Sequence, residues 1–304
     1  MRVVALAGGT GSAKLLRGLS AVDVDLTVVA NVGDNVWMYG LYVCPDIDIA
    51  MYTLAGAANR KLGWGMEGDT FRTLTQLGRI GEATWFALGD MDIATQLIRT
   101  RLLREGNDLT KVTDRLRKSF GVVYPILPVT DDAVETRIYT QKGSLHLQEF
   151  WVRDRGRPRV IGVKYIGSSK ATCTVEVANA IRRADKVIVC PANPITSIGP
   201  MLAIPGFSRM LSSARARVTA LSPMIGRTPY SGPAATLMKA VEKRPDSVGV
   251  AKAYSGIVDS LVIDRRDEGF MEEIESLGMR CVVSDTMMSD SSAEVRLSKE
   301  LLEA

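Results

Sequence analysis

The first thirty residues constrain the fold more than any other feature. Arg2 to Ala7 is an apolar, β-prone run, and Gly8 to Gly11 break it. Ser12 can cap a helix through Lys14, Leu15, Leu16 and Leu19, and Leu26 to Ala30 forms a second short apolar run. Strand, glycine loop, helix and strand within about 30 residues make a βαβ unit, which implies parallel pairing because the chain crosses back between the strands.

The same alternation returns later. Apolar runs at Thr84–Leu88, Lys186–Cys190, Val218–Leu221, Val258–Ile263 and Arg280–Val283 predict further strands. Helices are expected over Ile49–Asn59, Asp92–Arg104, Leu109–Phe120, Val175–Ala184, part of Ala203–Ala214, Ala234–Glu242, Glu268–Leu277 and the C-terminus, with Asp108 a candidate cap. The middle differs in texture. Thr136–Gln141 and Ser144–Val152 alternate on either side of Lys142-Gly143, which predicts a β-hairpin. The expected fold class is α/β: one Rossmann-like unit over 1–304, doubly wound with a mostly parallel sheet, carrying an inserted α+β region within about 60–170. With 46% hydrophobic residues, the chain can bury a full core.

Composition removes several function classes. Basic and acidic residues number 38 and 34, with no dense basic block, so a nucleic-acid partner is not expected. Cys44, Cys173, Cys190 and Cys281 lie far apart without a CxxC pair, which argues against a zinc knuckle or redox dithiol; Cys190 and Cys281 read as core. The single histidine, His146, reads as a strand-surface residue, so no Ser-His-Asp triad or multi-histidine metal site is expected. No signal peptide or apolar run of about 18 residues stands out, which predicts a cytoplasmic protein without a membrane partner.

In open parallel sheets, ligands bind beyond the C-terminal strand ends. Polar loops at Gly8-Gly9-Thr10-Gly11, Asn31–Asn35, Gly89-Asp90 and Pro191–Ser197 occupy such positions. Glycine lets backbone N–H groups approach phosphate oxygens, and the helix start beyond favours negative charge, so the first loop is a candidate phosphate site. It lacks the third glycine of the dinucleotide fingerprint. It also fails the Walker pattern, since Ala13 and Leu15 stand where Gly and Ser/Thr are required. Asp46 and Asp48, two apart, would project the same way from an extended segment and could hold Mg2+ or accept a hydroxyl proton; equally, one could cap a helix starting near Ile49. Asp90-Met91-Asp92 repeats that spacing before a helix, where capping is favoured. Asn193, held between two prolines, offers both a donor and an acceptor to a nucleobase or ribose.

Leu6–Leu19 (LAGGTGSAKLLRGL), Asn31–Asn35 (NVGDN), Pro45–Gly56 (PDIDIAMYTLAG), Trp85–Thr100 (WFALGDMDIATQLIRT) and Cys190–Leu202 (CPANPITSIGPML) together resemble the 2-phospho-L-lactate transferase family, in the same order across nearly the whole chain. The resemblance implies synthesis of the deazaflavin coenzyme F420, as in methanogens and actinobacteria. A phospholactyl or enolpyruvyl phosphate group, carried as a guanosine diphosphate-linked donor, would pass to the ribityl hydroxyl of the deazaflavin Fo, releasing GMP with Mg2+ as cofactor. It further implies that Gly8, Gly9, Thr10, Gly11, Asn31, Asp34 and Lys14 serve the nucleotide diphosphate. Asn193, Pro194, Thr196, Ser197 and Ile198 would lie on the guanosine side. Asp46 and Asp48 would sit where metal, diphosphate and hydroxyl meet, Asp48 contacting Fo and Asp46 the metal. Phe86, Ala87, Leu88, Gly89 and Asp90 would line the deazaflavin pocket, with Arg99 reaching an anionic group. A homodimer is the default assembly. The rival readings are a non-catalytic nucleotide-sugar-binding regulator of related fold and a nicotinamide-dependent dehydrogenase.

Overall fold

Seven parallel strands make the central sheet of the computed structural model, which describes residues 1–226, 228–229 and 232–304. Numbering only strands of this sheet, they are β1 (Arg2–Ala7), β2 (Asp25–Ala30), β3 (Ile126–Pro128), β4 (Lys186–Val189), β5 (Arg217–Leu221), β6 (Ser260–Asp264) and β7 (Arg280–Ser284). Their spatial order is β7-β6-β5-β4-β1-β2-β3. That is the Rossmann order extended by one strand, and it reverses direction between β1 and β4. β1 pairs with β2 from Arg2↔Asp25 to Ala7↔Ala30, and with β4 from Val3↔Lys186 to Leu6↔Val189. Every residue of β1 after Arg2 is buried, as a strand covered on both faces requires.

Helices flank the sheet. Those that position the cleft are α1 (Gly9–Ser20), α2 (Pro45–Leu54), α3 (Arg72–Arg79) and α4 (Asp90–Arg104). The C-terminal helix, Ser291–Glu303, packs along α1 at the distance that Gly18 permits; a Cβ there would stand 2.2 Å from the Glu294 carbonyl oxygen. Cys190 and Cys281 are buried free thiols, as core residues.

Three expectations change. Thr84–Leu88 is not a strand; its apolar side chains Phe86 and Leu88 instead form a small separate core with Val43. The third strand is Ile126–Pro128, so a central-sheet strand lies inside the stretch expected as one insertion. Second, the segment after Lys142-Gly143 pairs only over Gly143–His146 before turning into a π-helix at Glu149–Arg153. Glu135–Thr140 lies at the middle of an antiparallel three-stranded sheet, with Gly143–His146 on one side and Val160–Ile166 on the other. Third, Glu268–Leu277 is a 3-10 turn followed by a short helix, Met271–Glu275. No helix among the described residues is long and apolar enough to cross a membrane.

Candidate active site

A cleft of about 370 Å³ opens at the C-terminal ends of β1, β2 and β4, beside the point where the strand order reverses. The glycine loop forms its floor. Gly9 has φ +66°, a left-handed conformation that disfavours side chains, and a Cβ on Gly8 would stand 2.7 Å from the Ser197 Cβ and 3.2 Å from the Asn31 Cβ. Ser12 closes the turn by donating to the Gly8 carbonyl and accepting from the Gly8 N–H.

Asp46 and Asp48 do not lie on an extended segment. Pro45 starts α2 one turn earlier than expected, and proline is preorganised for that first position. Positions two apart on a helix are rotated by about 200° around the axis, so the carboxylates face different neighbours. Asp46 accepts from the Gly9 N–H at 2.6 Å and from Asn31 Nδ2 at 2.8 Å. The same Asn31 nitrogen lies 3.2 Å from Asp34 Oδ1, so one amide gathers two acids at the floor of the cleft. Burial pushes Asp46 up to about 6, against the pull of Asn31 and the Gly9 N–H. Burial and the Asp46 charge raise Asp34 well above the usual carboxylate range.

Asp48 faces α4. Gln96 Nε2 donates to it at 2.8 Å, and the Arg99 guanidinium grips both of its oxygens. Arg99 is fully buried and is absent from the cleft lining. The expected contact from Arg99 to a ligand anion is thus replaced by one to Asp48. Asp92 lines the cleft one turn before Gln96; burial first, then the Asp48 charge, pushes it up to about 6. Asp92, Gln96 and Arg99 follow the spacing of one helix face, a signal that was available in the sequence.

The remaining assignments divide. Gly8, Gly9, Thr10, Gly11, Asp34, Asp46, Asp48, Phe86, Ala87, Leu88, Asn193, Thr196 and Ser197 all line the cleft. Asn31 lies beneath it, tying Asp46 to the Thr196 carbonyl. Pro194, Ile198, Gly89 and Asp90 are not in the lining. Asp90 instead accepts the Arg72 and Thr73 N–H groups and the Thr70 hydroxyl at the start of α3. Lys14 also points elsewhere: its ammonium donates to the Met288 carbonyl at 2.8 Å, on the side of α1 that meets the C-terminal segment. Asn193 Oδ1 is occupied within its own loop, accepting from the Ile195 N–H at 2.9 Å and more loosely from the Thr196 N–H at 3.4 Å, and its Nδ2 is buried, so the expected paired contact to a base or ribose is not offered.

A further wall was not anticipated. Trp64, Leu147, Gln148, Trp151 and Val152 line it, and Trp64 and Trp151 are 38% and 41% exposed in a region that also includes Phe86. Flat apolar side chains left accessible in a cleft suit a flat ring system. Pro223, Gly232 and Pro233 approach from the loop after β5.

The sequence matches the family described as 2-phospho-L-lactate transferase CofD over residues 3–300. It is 41% identical over 303 residues to the 2-phospho-L-lactate transferase of Methanosarcina acetivorans, covering 99% of this chain and 97% of that one. It is 38% identical over 311 residues to the phosphoenolpyruvate transferase of Streptomyces griseus, covering 100% and 98%. A crystal structure of a UPF0052 family member from Bacillus halodurans shares the fold, with a TM-score of 0.67, 15% identity and coverage of 99% and 98%.

Proposed function

The chain belongs to the 2-phospho-L-lactate transferase CofD family, and we propose that it transfers a phospholactyl or enolpyruvyl phosphate group from a guanosine diphosphate-linked donor to the ribityl hydroxyl of Fo, releasing GMP. One observation carries this reading. One cleft is lined by the glycine loop, by Asp34 and Asp46, and by the aromatic side chains Trp64, Phe86 and Trp151, so it can hold a diphosphate and a flat ring together.

The donor set suits Mg2+. Asp34 and Asp46 supply oxygens beside the phosphate loop, and burial, joined at Asp34 by the Asp46 charge, makes both ionise reluctantly. Among the described residues no cluster of three metal-ligating side chains forms. A pair of carboxylates completed by substrate phosphates is how Mg2+ is commonly held. Bound there, the ion would neutralise charge on the diphosphate. Asp48 fits this role less well than expected, since Arg99 and Gln96 already claim its oxygens.

The protein's own work is positioning. The Gly8 and Gly9 N–H groups are taken by Ser12 and Asp46, so phosphate oxygens would meet the loop at Thr10 and Gly11, where α1 begins, with Asn193, Thr196 and Ser197 beside the nucleotide. Asp48 Oδ2 is filled by Gln96 and Arg99, but Oδ1 takes only the second Arg99 prong and keeps one lone pair to aim the ribityl hydroxyl in line with the leaving GMP oxygen. Attack forms the new O–P bond as the bond to GMP breaks, and the hydroxyl proton leaves to a nearby carboxylate or water. Phosphoryl transfer of this kind depends on alignment and charge neutralisation more than on covalent chemistry by the protein.

Equilibrium titration tests the two-ended site. GDP with Mg2+ and Fo should each bind, with Gly8→Ala removing the first and Trp151→Ala weakening the second. Fo binding that ignores Trp151, or GDP binding that survives Gly8→Ala, would contradict the arrangement.

A further inference from the structure

His146, expected on a strand surface, ends the strand Gly143–His146 and is buried at 6% exposure against the loop after β2. Its Nδ1 lies 3.0 Å from the Gln148 backbone nitrogen, and its Nε2 lies 3.1 Å from the Asn35 carbonyl oxygen. A backbone N–H only donates and a carbonyl only accepts. Nδ1 must therefore be bare and Nε2 must carry the proton. A doubly protonated ring would set one N–H against another. Burial pushes the ring's pKa down from 6.5, and Arg137 on the neighbouring strand acts the same way; Glu135, Glu149 and the Asn35 carbonyl oppose it.

Both partners bear on the cleft. Asn35 follows Asp34 in the acidic pair, and Gln148 belongs to the wall that includes Leu147, Trp151 and Val152. The same small sheet grips the switch point twice more. The Thr136 N–H donates to the Gly33 carbonyl at 2.7 Å, and the Tyr165 hydroxyl donates to the Ile195 carbonyl at 2.5 Å. Of these ties, the one through His146 reaches the aromatic wall directly.

We propose that His146 is a positioning residue, a neutral ring whose two hydrogen bonds hold the Gln148–Val152 wall in register with the loop carrying Asp34. It thereby sets the pose of the acceptor alcohol against the donor diphosphate. What binds rests on the function proposed above; the register itself does not.

The chain has one histidine, so isotope labelling of that residue gives one pair of ring-nitrogen signals from the whole protein. The expected spectrum shows a protonated Nε2 and a bare Nδ1 that persist below pH 6.5. An Nδ1–H tautomer, or ordinary titration near 6.5, overturns the proposal. Two variants separate the bonds kinetically. His146→Asn keeps an acceptor near the place of Nδ1, and His146→Gln keeps a donor near that of Nε2, so each retains half the tie and a better chance to fold. In folded protein the KM for the acceptor should rise about three- to tenfold while kcat changes by less than about twofold. Unchanged KM in both folded variants overturns the positioning role, whereas a general loss of stability alone would not produce that split. Should the unmodified protein transfer nothing to Fo, the proposed function fails, while the ring-nitrogen spectrum still decides the register.

Discussion

Arg99 and Asp48, 51 residues apart in sequence, meet as a buried, two-pronged ion pair between two helices. Arg99 is shut off from water and Asp48 nearly so, as their side chains are 0% and 7% exposed. Arg99→Ala should therefore cost about 3–5 kcal/mol, most of it the penalty for an unpaired buried carboxylate. Arg99→Lys should recover part of the charge compensation but not the fork. Denaturant unfolding of both variants checks this, and a loss below about 1 kcal/mol for Arg99→Ala would show that water reaches Asp48.

Asp48→Asn removes the carboxylate proposed to orient the ribityl hydroxyl. Turnover should be abolished while GDP affinity stays within about tenfold, or about 1.4 kcal/mol. Equal losses in binding and turnover would assign Asp48 to the nucleotide or metal instead. Arg99 loses its partner in this variant, so both quantities must be measured on protein shown to be folded.

The ion pair also marks how far the sequence could be read. The βαβ opening, the parallel sheet, the glycine floor and the Asp46/Asp48 motif were legible, because hydrophobic period and glycine placement act over short stretches. The carboxylates' directions were not, because they depend on whether α2 starts near Ile49 or, as Pro45 also signals, four residues sooner. Thr84–Leu88 imitated a strand because it is apolar for a different reason, packing on Val43. Exchanges across the chain left no local trace. Asp90, at the start of α4, caps α3, while Asp69, ahead of α3, accepts the Met91 and Asp92 N–H groups of α4. The aromatic wall at 147–152 sits in a stretch that alternates like a strand over Ser144–Val152, and that pattern carries no sign of a site.

Asp34→Asn should stabilise the fold and weaken the site. Because the folded pKa of Asp34 is raised, the folded chain holds this proton more tightly than the unfolded one. Stability from that proton is lost as pH rises from the ordinary value of 3.8 through the folded value. An amide carries no such charge and still accepts from Asn31. The variant should melt higher than the parent above that window and bind GDP with Mg2+ more weakly. A lower melting temperature together with unchanged binding would remove Asp34 from the proposed metal pair.

Two glycine substitutions should behave oppositely. Gly8→Ala pushes a methyl group into Ser197 and Asn31 at the cleft floor, so GDP affinity should fall by more than about tenfold. Gly18→Ala collides with the Glu294 backbone, remote from the cleft, and should cost about 2 kcal/mol or more of stability. Calorimetry and thermal melts distinguish them. A Gly8→Ala variant with parental affinity would contradict phosphate binding at this loop.

His146 gives a pH dependence of known sign. Its pKa is lowered on folding, so its contribution is fully present above the ordinary value of 6.5 and is lost as pH falls toward the folded value. The melting temperature should drop with acidification in that window, less steeply in His146→Gln. Parallel slopes would show that other groups set the dependence.

The central claim is group transfer, and product formation tests it most directly. Purified protein would be incubated with Fo, a guanosine diphosphate-linked phospholactate or phosphoenolpyruvate, and Mg2+. Chromatography with fluorescence and mass detection would then follow the deazaflavin. The account predicts a product heavier by the transferred phospho-acyl group, formed together with GMP and only in the presence of Mg2+. Unaltered Fo with both donors, from protein that demonstrably binds guanine nucleotide, would contradict it and favour a nucleotide-binding regulator.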